Sequence, residues 1–223
     1  TELHKYFLSV LSHDLKSPLT SIIGFARILK TKPDIGTAIK EKCYSSIIHE
    51  SERMVRIINN ILTWEQIKKK KLLLSFTRVK FSQLVKEISV NCFDRIDREN
   101  FYVDIEDDLT FSGDYDRLTD IIENIMGDLL LFTEEGGQVE MRAWKKDEHH
   151  ITLVLSNTIF LLDPYIIKTI FKRKKPSLAT IDTDKGRALS FIVVRKLVEL
   201  HGGTIKLEPL ASRGYKFSIE FTM

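Results

Sequence analysis

Leu8, Leu11, Leu15, Leu19, Ile22, Ala26 and Leu29 recur every three or four residues, the period of one helical face. A stripe of that length demands a long helix with an apolar partner. Lys32-Pro33-Asp34-Ile35-Gly36 then interrupts it, since proline cannot continue a helix interior and glycine suits a turn. Thr37 is placed to cap a second helix, along which Ile39, Cys43, Ile47, Met54, Ile57, Ile61 and Leu62 carry a second stripe as far as about Ile67. The first third of the chain is therefore predicted to be a long antiparallel helical hairpin. Two helices alone cannot bury both stripes, and self-association into a homodimeric four-helix bundle supplies the missing partners.

From Leu72 the texture changes to short apolar runs such as Tyr102-Val103-Asp104-Ile105 and Val139-Glu140-Met141-Arg142-Ala143-Trp144, alternating with helical stretches. This predicts a separate α+β domain, so the chain divides into residues 1–71 and 72–223. Helical patterns cover residues 81–95, 115–132, 164–171 and 188–201; strand patterns cover 151–156, 204–207 and 216–221. Lys145-Lys146-Asp147-Glu148 marks one hairpin turn and Ser212-Arg213-Gly214 another.

At 223 residues with 43% apolar content, the chain has enough to bury a core, which predicts an ordered, soluble protein. Its charges are interspersed and sum to only +3, so nothing argues for nucleic acid, and Lys68-Lys69-Lys70-Lys71 reads as a solvated helix end. Cys43 and Cys92 are too few and too isolated for a disulfide framework or a metal site. That usage fits a reducing cytoplasm, and both thiols are expected to be buried. No segment approaches the roughly 20 apolar residues of a membrane span. Since the chain begins at Thr1, it is expected to be a fragment of something longer, with any input domain or membrane anchor upstream of it.

The chemistry concentrates in Ser12-His13-Asp14-Leu15-Lys16-Ser17-Pro18-Leu19-Thr20. At about 100° per residue, His13 points about 160° away from the centre of the stripe, so its imidazole is predicted to face solvent. The neighbouring Asp14 carboxylate can hold one ring N–H, fixing the tautomer whose other nitrogen attacks phosphorus. Ser17 lies one turn along the same face, where its hydroxyl can orient a water or a phosphoryl oxygen. Pro18 has no N–H for the Asp14 carbonyl, which predicts a bend beside the histidine. The other histidines, His4, His49, His149, His150 and His201, have no comparable setting and are taken as structural or surface residues.

This block, preceded by Phe7-Leu8-Ser9 and followed through both helices past Ser51-Glu52-Arg53-Met54, resembles the dimerisation and phosphotransfer domain of sensor histidine kinases. The resemblance implies that His13 is phosphorylated, that Asp14 is its general base, and that Ser17 stands where the family carries a residue used in dephosphorylating a response regulator. It also implies a receiver-domain partner, with outward residues near Ser17 to Lys30, Arg27 among them, setting specificity. Residues 72–223 resemble the family's catalytic ATP-binding domain, an α/β sandwich. Gly113-Asp114, Arg117-Leu118 and Asn124 ahead of Phe132-Thr133 look like its asparagine box. Leu197-Val198-Glu199-Leu200-His201-Gly202-Gly203 looks like its last helix and turn, and Ser212-Arg213-Gly214 like its final hairpin.

The nucleotide motifs depart from the family pattern. Asp128 stands at the asparagine that chelates magnesium, Leu131 at the following lysine, and Asn157 at the aspartate that accepts from the adenine amino group. Ile159 and Leu161 replace glycines where backbone must approach the base closely. The second glycine-rich stretch, Gly186-Arg187-Ala188-Leu189-Ser190-Phe191, keeps one glycine at the helix N-terminus that should cradle phosphates. Lys172 to Lys185 is a short basic lid. Together these changes predict weak or absent binding of ATP and magnesium. Three functions remain open: phosphate exchange between His13 and a receiver aspartate without ATP, an ATP-dependent autokinase with an atypical pocket, and a scaffold that performs no chemistry.

Overall fold

The computed structural model describes residues 2–92, 100–133, 136–158, 185–211 and 214–223; the side chains of residues 2–14, 132 and 185–188 lie outside that description. Contacts divide the chain into two units. The helical hairpin belongs to one, and the residues from Lys70 that build the sheet belong to the other.

Helix α1 (Glu2–Thr31) runs through Pro18 as a single element. The Thr20 hydroxyl donates to the Lys16 carbonyl at 2.7 Å, one of several local bonds along this face. Helix α2 (Thr37–Lys68) begins one residue earlier than a Thr37 cap requires: Gly36 is the N-cap, with extended backbone, and no side chain caps the helix. The Gly36 carbonyl accepts from the Ile39 and Lys40 amides at 2.9 and 3.1 Å. Thr37 is thus already inside the helix, which corrects the sequence reading.

The hairpin leaves much of its apolar surface uncovered. Cys43 is buried at 3% exposure, but Leu19, Ile23, Ile48, Val55 and Leu62 each stand at 44–59%. Ile39 and Leu62, placed on the buried stripe by their spacing, are among the exposed side chains. An antiparallel pair presents only one seam, so residues flanking it find no second helix within the chain.

In the second unit, β1 (Thr77–Lys80) leads into α3 (Phe81–Cys92). Strands β2 (Phe101–Ile105) and β3 (Thr110–Gly113) precede α4 (Tyr115–Phe132). Then come β4 (Val139–Asp147) and β5 (His150–Asn157), helix α5 (Lys185–Leu200), of which the residues from Phe191 belong to this unit, and β6 (Thr204–Pro209) and β7 (Tyr215–Thr222). The main sheet has the order β2-β4-β5-β7-β6, and β1 pairs with β3 in a separate ribbon. Among the described strands, β2 and β4 run parallel and the other pairs are antiparallel.

The core follows from alternation. Val139, Met141 and Ala143 on β4 and Phe217, Ile219 and Phe221 on β7 are buried at 0–1%, while their neighbours are half-exposed. Phe191 of α5 stacks on Phe217 with ring centroids 5.4 Å apart, and Phe81 of α3 meets Phe221 edge-on at 5.8 Å. On α4, Leu118, Ile121, Ile122, Ile125 and Leu129 are fully buried, the stripe that seats the helix on the sheet. This is a helical hairpin followed by an α/β sandwich, the architecture expected from the sequence.

Several boundaries differ from the pattern reading. Strands β1 and β3 are four residues each, too short for alternation to register. The first hairpin reverses later than Lys145: β4 runs to Asp147, with a bulge after Lys145, and Asp147 pairs with His150. There the Asp147 carboxylate accepts from the His149 amide at 2.8 Å, a turn in which the aspartate side chain stands in for backbone. At the second hairpin the Leu210 amide donates to the Gly214 carbonyl at 2.8 Å, while Ser212 and Arg213 lie outside the described residues. The helix expected over residues 164–171 also lies outside them.

Candidate functional site

Two sets of residues carry the candidate chemistry, one in each unit. On α1 the backbone of His13 and Asp14 is helical, and their side chains lie outside the described part. Ser17 is exposed and Pro18 is buried. A hydroxyl at position 17 is thus open to a partner one turn beyond His13. Arg27 is exposed on the same helix.

In the sheet unit the candidate residues lie on α4 and at the end of β5. Asp114 caps α4, its Oδ1 accepting from the Arg117 amide at 3.1 Å and its Oδ2 from the Ser75 amide at 2.8 Å. Its own amide donates to His201 Nε2 at 3.1 Å, while His201 Nδ1 lies 2.7 Å from the Leu197 carbonyl. An amide can only donate and a carbonyl only accept, so the ring carries its proton on Nδ1. His201 is 5% exposed, with Phe76 and Phe221 at centroid distances of 5.5 and 6.2 Å. The sequence groups His201 with the structural or surface histidines; it is structural, and it joins the end of α5 to the start of α4. Its position directly before Gly202, which takes the left-handed conformation at φ 71°, was the available signal.

Further along α4, Asn124 is buried, and its amide donates to the Asp120 carbonyl at 2.7 Å. Burial pushes the Asp120 carboxyl above the ordinary carboxylate range. Asp116 and Asp114 add to that, against the opposing Arg117 guanidinium at 2.8 Å. Asp128 and Leu131 are half-buried on the last turns of the helix.

Asn157 ends β5 and is 1% exposed. Its Nδ2 donates to Thr133 Oγ1 at 3.0 Å and its Oδ1 accepts from the Tyr215 amide at 3.3 Å. Thr133 Oγ1 in turn donates to the Leu129 carbonyl at 2.5 Å. Asn157 is therefore bound at both ends of its amide, to α4 and to β7. Gly214 lies against the same residue: a Cβ there would stand 1.7 Å from the Asn157 carbonyl oxygen, so only glycine fits. The structure thus brings together Asn157 and the C-terminal end of α4, where Asp128 and Leu131 sit.

Gly186 is in the first turn of α5, and its surroundings, with Ile159, Leu161 and the basic lid, lie outside the described residues. Among the described residues, no group of three His, Cys, Asp or Glu side chains could hold a metal ion. Nor is any helix long and apolar enough to cross a membrane.

Comparison with known proteins decides the family. Residues 3–70 match the His Kinase A (phospho-acceptor) domain, and residues 113–223 match the histidine kinase-, DNA gyrase B- and HSP90-like ATPase domain. The chain is a member of the histidine kinase family. Sensor histidine kinase YclK of Bacillus subtilis is 27% identical over 223 residues, covering 98% of this chain and 46% of the relative. Circadian input-output histidine kinase CikA of Synechococcus elongatus is also 27% identical, covering 96% of this chain and 29% of the relative. The chain spans less than half the length of these curated relatives. Among solved structures, histidine kinase AdeS of Acinetobacter baumannii superposes with a TM-score of 0.63 at 14% identity, covering 95% of this chain and 98% of that one. Full-length ShkA in complex with AMPPNP superposes at 0.61, with 22% identity, covering 96% of this chain and 45% of that one. At these identities the superpositions establish the shared fold.

Proposed function

We propose that this histidine kinase core works as a two-component phosphotransfer protein in which His13 exchanges a phosphoryl group with a receiver-domain aspartate. The observation that carries this is the His13-Asp14 pair on an unbroken helix inside the matched phosphoacceptor domain. The lone pair of His13 attacks the phosphorus of the receiver's aspartyl phosphate. A P–N bond forms as the P–O bond to the aspartate breaks, and the aspartate leaves as a carboxylate with the bonding electrons. The imidazole N–H proton released on attack is taken up by Asp14, and the reverse sequence reloads the receiver. Ser17 lies one turn along, where its hydroxyl orients a water that removes phosphate from the docked receiver. Arg27 and its outward neighbours set which receiver docks.

The exposed apolar side chains of both hairpin helices support a homodimer, since a second hairpin is the natural cover for Leu19, Ile23, Ile48, Val55 and Leu62. ATP and magnesium binding is weak or lost in this reading. Supporting it are the engagement of Asn157 within the fold and Leu131 in place of a cation near the phosphates. The residues present do not fit the nucleotide as the family holds it, so no step is routed through ATP. A second reading, an ATP-dependent autokinase, draws on the AMPPNP bound by ShkA.

One experiment separates them. The protein is incubated with a phosphorylated receiver and, separately, with labelled ATP and magnesium, and acid-labile label on His13 is measured. Loading from the receiver alone is expected. Loading from ATP at a rate matching an active kinase sinks the weak-nucleotide part, and no loading from either donor sinks the whole reading.

A further inference from the structure

Asn157 stands at the position from which related domains recognise the base, yet its geometry points elsewhere. Thr133 Oγ1 has one proton, and at 2.5 Å it gives that proton to the Leu129 carbonyl. What the hydroxyl still offers is a lone pair, and its neighbour at 3.0 Å is the Asn157 amide nitrogen. An N–H donor satisfies that arrangement. A carboxylate does not, because it sets acceptor against acceptor or pulls the Thr133 proton away from the end of α4. The other half of the amide faces the Tyr215 amide at 3.3 Å, and the neighbouring Gly214 brings backbone so close that no Cβ fits. With 1% of its surface exposed, the side chain is buried, and both ends of its amide are engaged within the fold.

We infer that Asn157 is a positioning residue, clamping the C-terminal end of α4 to β5 and β7 through Thr133 and Tyr215, at a point closed to nucleotide. This rests on the reading above that nucleotide binding is weakened, and it deepens that reading. The base-recognising position has been absorbed into the fold, so restoring an aspartate at 157 does not restore ATP binding.

The test uses the full chain and four variants: Asn157→Asp, Asn157→Ala, Thr133→Val, and the double variant Asn157→Ala with Thr133→Val. A carboxyl buried at this site has its pKa raised, so Asn157→Asp gains stability as pH falls through that value. Its Tm is expected to lie about 5 °C or more below wild type at about pH 8, with the deficit at least halved at about pH 5. A variant that folds at the lower pH and not at the higher is the extreme of the same result. Asn157→Ala and Thr133→Val are each expected to lower Tm, and the double variant to fall by clearly less than their sum. Calorimetry with magnesium and ATP is expected to show no binding gained by Asn157→Asp. The inference is overturned if the Asn157→Asp deficit is absent or the same at both pH values, if the two losses simply add, or if Asn157→Asp gains nucleotide. Tight binding of ATP by the wild type removes the weak-nucleotide reading alone, and the pH comparison and the double variant then still decide whether Asn157 is the clamp.

Discussion

His201 offers a sharp test of how the sheet unit is held together, because two hydrogen bonds and two aromatic contacts converge on one buried ring. Replacing it by alanine leaves the Asp114 amide without its acceptor at a residue only 7% exposed, which costs about 1–3 kcal/mol. The Leu197 carbonyl is not orphaned, since it also accepts from the His201 backbone amide at 3.1 Å. Removing the ring from between Phe76 and Phe221 adds a cavity penalty of about 2 kcal/mol, at the low end for large-to-small changes because Phe76 is half-exposed and can shift. His201→Ala should therefore destabilise the unit by about 3–5 kcal/mol, or on the order of 10 °C in Tm. His201→Gln, which keeps an acceptor and a donor, should recover part of the loss. Urea unfolding followed through Trp144 in a Trp64→Phe background reports the sheet unit alone, since these are the two tryptophans of the chain. Because Asp114 also receives the Ser75 amide, hydrogen exchange at Ser75 should accelerate in His201→Ala. A loss below about 1 kcal/mol with unchanged exchange at Ser75 would refute the network.

Three further outcomes follow from the same structure. Ile23→Glu combined with Val55→Glu, at side chains 48% and 56% exposed, should weaken self-association at least about 100-fold, read as a fall in molar mass by light scattering during gel filtration. An unchanged dimer would place the interface elsewhere. Gly214→Ala sets a Cβ 1.7 Å from the Asn157 carbonyl oxygen, a backbone atom that cannot step aside, and should abolish the cooperative melt of the sheet unit. A Tm within a few degrees of wild type would contradict that packing. Asp120 has its carboxyl pushed up by burial, so the folded state holds this proton longer than the unfolded chain and wild type gains stability as pH falls through the folded value. The advantage of Asp120→Asn over wild type should accordingly be largest near pH 7 and shrink towards about pH 4, and urea midpoints showing the opposite trend would refute the assignment.

The helices were readable in the sequence to the extent that burial imposes a period. The helical pattern over residues 115–132 matches α4, Tyr115–Phe132, because an apolar stripe runs its length, and the structure adds the Asp114 cap. Strands β4 and β7 are legible because inward residues alternate with outward ones, whereas β5 is buried on both faces and shows only as an apolar run without sharp ends. Strands β1 and β3 were missed because four residues hold too little pattern. The Gly36 cap was missed because it works through backbone, which leaves no trace in residue type beyond the glycine itself. At the site, residue identity showed which positions had changed. It could not show that Asn157 points into the protein or that His201 spans 87 positions of sequence to reach Asp114, because both depend on pairings distant in the chain.

The two halves of the candidate site differ in how much structure their chemistry needs. A phosphoacceptor on α1 requires an imidazole, a neighbouring carboxylate and a helix to hold them, all within consecutive residues, so substitutions elsewhere leave it intact. A nucleotide site of the family type draws on positions far apart in sequence, here on α4 and at the end of β5, that meet only when the sheet is assembled. Each of its side chains is therefore also a packing residue. Asn157 shows what that means: within hydrogen-bond reach of Thr133 and Tyr215, an amide at this position serves the fold whether or not a ligand is present. Once recognition is relaxed, substitutions at such positions are judged by packing alone, and each one that improves the fit makes reversion harder, because the old residue now meets neighbours arranged for the new one. The proposed function, phosphotransfer at the hairpin with weak nucleotide binding in the sheet domain, is the combination this asymmetry favours.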